Sequence, residues 1–107
     1  MVKLVALYKK PANVQEFDDQ YFNSHLPLAN KMPGLKKVEV ARITGTPAGE
    51  SEYHLMAELY FDSKEDLQAA MASPEGRAST KNLMSFAKDV SFFMFADVEK
   101  VPAGANT

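Results

Sequence analysis

The sequence contains no cysteine, so no disulfide can staple the fold and the strongest metal ligand is missing. Its five glycines are too few and too scattered for the loops that cradle dinucleotides or phosphates. No apolar run approaches the roughly 20 residues that span a bilayer, and the N-terminus is not built like a signal peptide. Nor is there a basic excess. Twelve Lys and Arg against fourteen Asp and Glu leave a formal net charge of -2, which argues against nucleic acid as a partner. These absences together predict a cytoplasmic protein with no membrane partner, and a cysteine-free chain suits a reducing compartment.

What is present is globular. Hydrophobic residues make up 46% of 107 positions, enough for one domain, expected over 1–100, with a flexible tail over 101–107. No repeat or low-complexity tract is visible. A chain this short has a modest core, and a second subunit would supplement it.

The opening Val2-Lys3-Leu4-Val5-Ala6-Leu7-Tyr8 is β-branched and nearly continuously apolar, the pattern of a central strand. Asn13 with Glu16 three residues on forms a capping box that opens an amphipathic helix carrying Val14, Phe17 and Tyr21 and continuing through His25, Leu28 and Met32. Pro27 lacks an N–H and predicts a kink or break beside His25. A polar strand over 35–44 suits a sheet edge. The strand over about 52–61 places Tyr53, Leu55, Ala57, Leu59 and Phe61 on one face and His54, Met56, Glu58 and Tyr60 on the other. Ser63 with Asp66 caps a third helical segment, Ser73-Pro74 starts a fourth, and 92–96 is a strand apolar on both faces. The order strand, helix, strand, strand, helix, strand is the α+β, ferredoxin-like βαββαβ pattern: a four-stranded antiparallel sheet with helices on one face. Val5, Leu7, Phe93 and Phe95 are expected to give the open face an apolar patch, and sheet-to-sheet packing in a homodimer would cover it.

His25 follows Phe17 and Tyr21 at intervals of four, so a titratable ring shares their apolar helix face. An imidazole there suits general acid or base work, and it equally suits a core histidine held by one hydrogen bond. Tyr21, one turn earlier, offers a phenol to orient the imidazole or a ligand oxygen, although core packing is its commoner use. Tyr8, Tyr53 and Tyr60 present the same choice. His54 is expected at an interface or on the surface. Phe92, Met94, Met84 and Met71 are candidates for the wall of a greasy cavity, against the commoner use of methionine as a core filler. Ser24 is next to His25 but does not face it on a helix, which disfavours a serine-histidine dyad. The two histidines lie in different elements with no partner at i+3 or i+4, so no metal is expected.

The segments Tyr21-Phe22, His25-Leu26-Pro27-Leu28-Ala29 and Met32-Pro33-Gly34-Leu35, together with Tyr8 and Phe17, resemble EthD-family proteins of the dimeric α+β barrel superfamily. The resemblance covers residues 2 to about 99 and is most specific at the His-x-Pro-Leu helix. Similar proteins are associated with degradation of ethyl tert-butyl ether, where EthD accompanies a cytochrome P450 system. The wider superfamily includes cofactor-free monooxygenases, muconolactone isomerases and polyketide cyclases that use a cleft between helices and sheet. The resemblance implies that the family histidine is His25.

The resulting expectation is a small homodimer that binds a hydrophobic, oxygen-bearing small molecule in a cleft beside His25. His25 and Tyr21 are the expected catalytic pair, with Tyr8, Phe17, Tyr53, Met84 and Phe92 around the ligand and no cofactor. The chemistry would be cofactor-free oxidation, isomerisation or cyclisation with His25 as acid or base. The alternative is a noncatalytic binding or accessory protein that supports a partner oxygenase.

Overall fold

A computed structural model of the chain describes residues 1–101 and runs β1 (Val2–Lys9), α1 (Val14–Gln20), a π-helical turn (Tyr21–His25), α2 (Leu26–Ala29), β2 (Lys37–Arg42), β3 (Tyr53–Phe61), α3 (Lys64–Ala72), α4 (Pro74–Ala87) and β4 (Ser91–Asp97). The expected tail beyond residue 101 lies outside the described residues. The strands form one antiparallel sheet of order β2-β3-β1-β4, with the apolar β1 inside and the polar β2 at an edge. The α+β ferredoxin-like arrangement follows, with the helices against one face of the sheet.

Three side-chain caps start the longer helices. The N–H of Glu16 donates to Asn13 at 3.0 Å, that of Asp66 to Ser63 at 3.1 Å and that of Gly76 to Ser73 at 3.0 Å. Each satisfies a backbone donor that the first helical turn leaves free. Glycine is required at 76, because a Cβ there would overlap the Ala70 carbonyl oxygen where α3 runs into α4.

Register decides which side chains meet the helices. Leu4, Ala6 and Tyr8 of β1 pair with Leu59, Ala57 and Leu55 of β3 and with Phe95, Phe93 and Ser91 of β4. Directly paired residues share a face, and Leu4, Ala6, Tyr8, Leu55, Ala57 and Leu59 are buried beneath the helices with Phe17, Tyr21, Leu67 and Leu83. Phe93 and Phe95 therefore lie on the helix side, not in the open-face patch expected from the sequence. Phe92 and Met94 take their place, opposite Leu7 and Val5. Because β4 is apolar on both faces it shows no alternation, and only its pairing with β1 sets which side is which.

A second correction comes from β3. Tyr8 pairs with Leu55 while Lys9 pairs with Tyr53, so His54 is the extra residue of a β-bulge. The bulge reverses the expected alternation. Tyr53 falls on the open side with Lys9, and His54 turns toward α1, where its Nε2 lies 2.7 Å from Asp18 Oδ1.

Candidate active site

Phe17, Tyr21 and His25 form the ladder that their spacing predicts. The Phe17 and Tyr21 rings stack with centroids 5.8 Å apart, and Tyr21 and His25 lie 5.2 Å apart. Pro27 does not break the helix. An α-helical path would drive its ring against the Asn23 carbonyl, and the chain instead widens the preceding turn, with the Leu26 N–H donating to the Tyr21 carbonyl five residues back. The expected irregularity beside His25 is thus a π-helical turn, and α2 continues from it.

A cavity of about 270 Å³ lies between this helix, α4 and the sheet. Tyr8, Tyr21 and His25 line it as three contiguous polar rings, Tyr8 and Tyr21 having centroids 5.1 Å apart. Ser79 and Thr80 of α4 add hydroxyls, and the remaining wall is apolar, with Leu4, Leu26, Met32, Leu59, Met71 and Leu83 among its residues. No charged side chain lines it among the described residues. The helix-side faces of Phe93 and Phe95 flank it; these rings are 46% and 65% exposed, because no helix covers β4 there.

The three titratable rings of the cavity are all neutral at pH 7. Burial lowers the pKa of His25 to about 4, an effect only partly offset by the Ser79 backbone and the Asn82 side chain. Burial pushes the Tyr21 phenol up to about 12, and burial together with the adjacent Tyr21 holds Tyr8 well above the ordinary tyrosine range. His25 Nδ1 is sealed from solvent without a hydrogen-bond partner. Nε2 is then the nitrogen left to the cavity. The site can accept a hydrogen bond or a proton at His25 and donate hydrogen bonds from protonated phenols.

Of the residues singled out by sequence, the cavity brings together His25, Tyr21 and Tyr8, with Met71 also at its wall; Met94 borders it between Phe93 and Phe95, although its register sets it on the open face opposite Val5. The other four proposed ligand residues lie elsewhere. Phe17 sits behind Tyr21, edge-on to Tyr8, Phe86 and His54. Tyr53 and Phe92 are on the open face, the Phe92 ring 5.3 Å from Lys9 Nζ. Met84 is half-buried and borders a shallow depression with Phe86 and Val90. Ser79 is a cavity residue outside the sequence candidates, although it interrupts the buried stripe Gly76, Ser79, Leu83 and Ala87 with a hydroxyl.

His54 is as buried as His25 but belongs to a separate cluster. Asp18 receives Arg42 Nη1 at 3.0 Å as well as His54. Partial burial pushes the Asp18 carboxyl upward, but the hydrogen bonds from His54 and Arg42 outweigh it and hold the group below the usual carboxylate range. Among the described residues, no three His, Cys, Asp or Glu side chains are grouped to hold a metal ion.

A sequence profile of the EthD domain matches residues 9–97. The chain is 30% identical over 101 residues to an uncharacterized 11.0 kDa protein in the thcB-thcC intergenic region of Rhodococcus erythropolis, covering 94% of this chain and 98% of that protein. It is also similar to the crystal structure of an EthD-family protein from Bacillus halodurans, with a TM-score of 0.91 and 48% identity over 92% of this chain and 99% of that one. At lower identity the likeness concerns the fold alone. SnoaB, a cofactor-independent oxygenase from Streptomyces nogalater, superposes with a TM-score of 0.70 at 14% identity, covering 95% and 96% of the two chains. A dimeric ferredoxin-like protein of unknown function from Thermobifida fusca gives 0.68 at 17% identity, covering 91% and 90%. With profile and relatives in agreement, the chain belongs to the EthD domain family.

Proposed function

We propose that this protein binds an uncharged, apolar small molecule carrying a hydroxyl or carbonyl oxygen, and moves a proton on it with His25. The observation that carries this reading is the composition of the cavity: three contiguous polar rings, all neutral at pH 7, in an otherwise apolar wall. A carboxylate ligand would bury its charge there without a cation. A neutral ligand loses little on desolvation, and its oxygen finds donors in the phenols.

In the proposed step His25 Nε2 takes a proton from a C–H or O–H next to the ligand oxygen, while Tyr8 and Tyr21 stabilise the developing oxyanion by hydrogen bonding. Because the imidazolium so formed is a strong acid in this apolar setting, it returns the proton readily, which suits isomerisation, cyclisation or the deprotonation that readies an electron-rich substrate for oxygen. None of these calls on a cofactor. The fold likeness to a cofactor-independent oxygenase is in keeping with this class of chemistry. The same reading sets the protein in the cytoplasm, which its cysteine-free sequence suits.

A second reading is favoured by the weak basicity of His25 at rest. With a pKa of about 4, the ring serves a receptor as well as it serves an enzyme. In that case the protein holds the ligand for a partner oxygenase and leaves it unchanged. The two readings share a binding test and differ in its sequel. Calorimetry should detect saturable binding of naphthol and none of naphthoate, which has the same ring skeleton and a full negative charge. Naphthoate binding as tight as naphthol would overturn the proposed ligand class. Product formed from an apolar hydroxy or keto compound by the purified protein, without redox partners, supports the enzyme; ligand returned intact across such a series supports the accessory reading.

The proposed assembly is a homodimer made by stacking the open sheet faces. Support comes from the exposure of Phe92 and Met94, 42% and 46%, beside Val5, Leu7 and Met56 on that face, and from dimeric ferredoxin-like relatives in fold. Apolar contact of this kind holds obligate dimers together. Light scattering at low micromolar concentration should give about twice the mass of one chain, and a clean monomer would refute the contact.

A further inference from the structure

Two buried side-chain polar atoms lack a partner in the described structure: His25 Nδ1 and Asn82 Oδ1. They are complementary, because one is a nitrogen able to carry a proton and the other is an oxygen that can only accept one. They also belong to residues that meet: the Asn82 side chain and the Ser79 backbone, three residues apart on α4, both act on the His25 ring. Buried orphans are rare in folded proteins, and a side-chain rotation that joined these two would satisfy both.

We propose that Asn82 is a positioning residue for His25: its side-chain oxygen takes the Nδ1 proton and thereby fixes Nε2 as the lone-pair nitrogen facing the cavity. Histidine tautomers are set in this way, by the hydrogen bond that the other ring nitrogen makes. Without such a partner the neutral ring divides between two tautomers, one of which points an N–H at the ligand and has no lone pair there to take a proton. The titratable groups facing His25 are the Tyr21 phenol on its own helix and the Tyr8 phenol on β1, and no carboxylate or cation lines the cavity to dictate the tautomer instead. The Ser79 backbone also acts on the ring, and its oxygen is the competing acceptor.

The inference deepens the proposed role of His25, but its test uses the free protein. Failure of ligand binding and failure of the tautomer assignment are therefore separate results. The chain has two histidines, so nitrogen NMR of protein labelled at histidine gives two sets of ring signals, and His25→Asn assigns them. At pH 7 the unmodified protein should show His25 protonated at Nδ1 with Nε2 bare. Asn82→Leu should shift the ring toward the Nε2-protonated form. Asn82→Asp keeps the shape and adds a charge, so it should raise the titration midpoint of His25 from about 4 by about two pH units. An Nε2-protonated His25 in the unmodified protein overturns the proposal without any variant. An unchanged tautomer in Asn82→Leu, or an unmoved midpoint in Asn82→Asp if the leucine variant does not fold, overturns it in favour of Ser79.

Discussion

The two histidines of this protein are equally buried, each 7% exposed, and each sits at an irregularity of its element. His54 occupies the β-bulge of β3 and meets the Asp18 carboxylate at 2.7 Å, with Arg42 on the other carboxylate oxygen. His25 occupies the π-helical turn and meets tyrosine rings, an apolar wall and no carboxylate. Burial alone therefore says little about what a histidine does. An ionic partner makes His54 a tie between α1 and the sheet, and the lack of one leaves His25 to desolvation, which keeps it neutral beside a largely apolar cavity.

The largest expected difference between the two is in turnover. On any substrate that the protein converts, His25→Asn should lose a factor on the order of 10²–10⁴ and His54→Gln only a small factor. Equal losses would erase the distinction. Next is the pH dependence of stability. The unfolded ring takes up a proton near 6.5 and the folded ring near 4, so between these values the unfolded state binds more protons and stability must rise with pH. At about 1.4 kcal/mol per pH unit, the contribution of His25 grows by about 3 kcal/mol across that window and is complete above it. Urea unfolding of His25→Leu from pH 4 to 7 should show that slope flattened; a slope equal to that of the unmodified protein would contradict a neutral buried His25. The smallest effects concern the other cluster. His54→Leu leaves Asp18 with Arg42 alone and should cost about 1–3 kcal/mol at neutral pH. Arg42→Ala removes an exposed partner and should cost about 0.2–1 kcal/mol, diminishing with salt. A reversed order in the same urea series would mean that Arg42, not His54, holds Asp18.

Local signals in the sequence were dependable where one residue acts on its own neighbours. Asn13, Ser63 and Ser73 cap the helices where their hydroxyl or amide groups predict, and the spacing of Phe17, Tyr21 and His25 yields the ladder that positions the site. The βαββαβ order was legible for the same reason. Nonlocal choices were not. The bulge that exchanges Tyr53 and His54 depends on how β3 pairs with β1, and a single inserted residue reverses every face assignment before it. The assignment of Phe92 to the open face and Phe93 to the cavity depends on the β4 register, which a strand apolar on both sides does not announce. Asn82 carries no sequence signal toward His25, since the two meet only when α4 packs on the π-helical turn.

The proposed neutral ligand docks against His25 and not His54. Nitrogen NMR of the histidine-labelled protein, titrated with naphthol at pH 7, tests this most directly. The His25 ring signals should move in a saturable way while those of His54 stay in place. Movement at His54 alone, or at neither ring while calorimetry detects binding, would place the ligand away from His25.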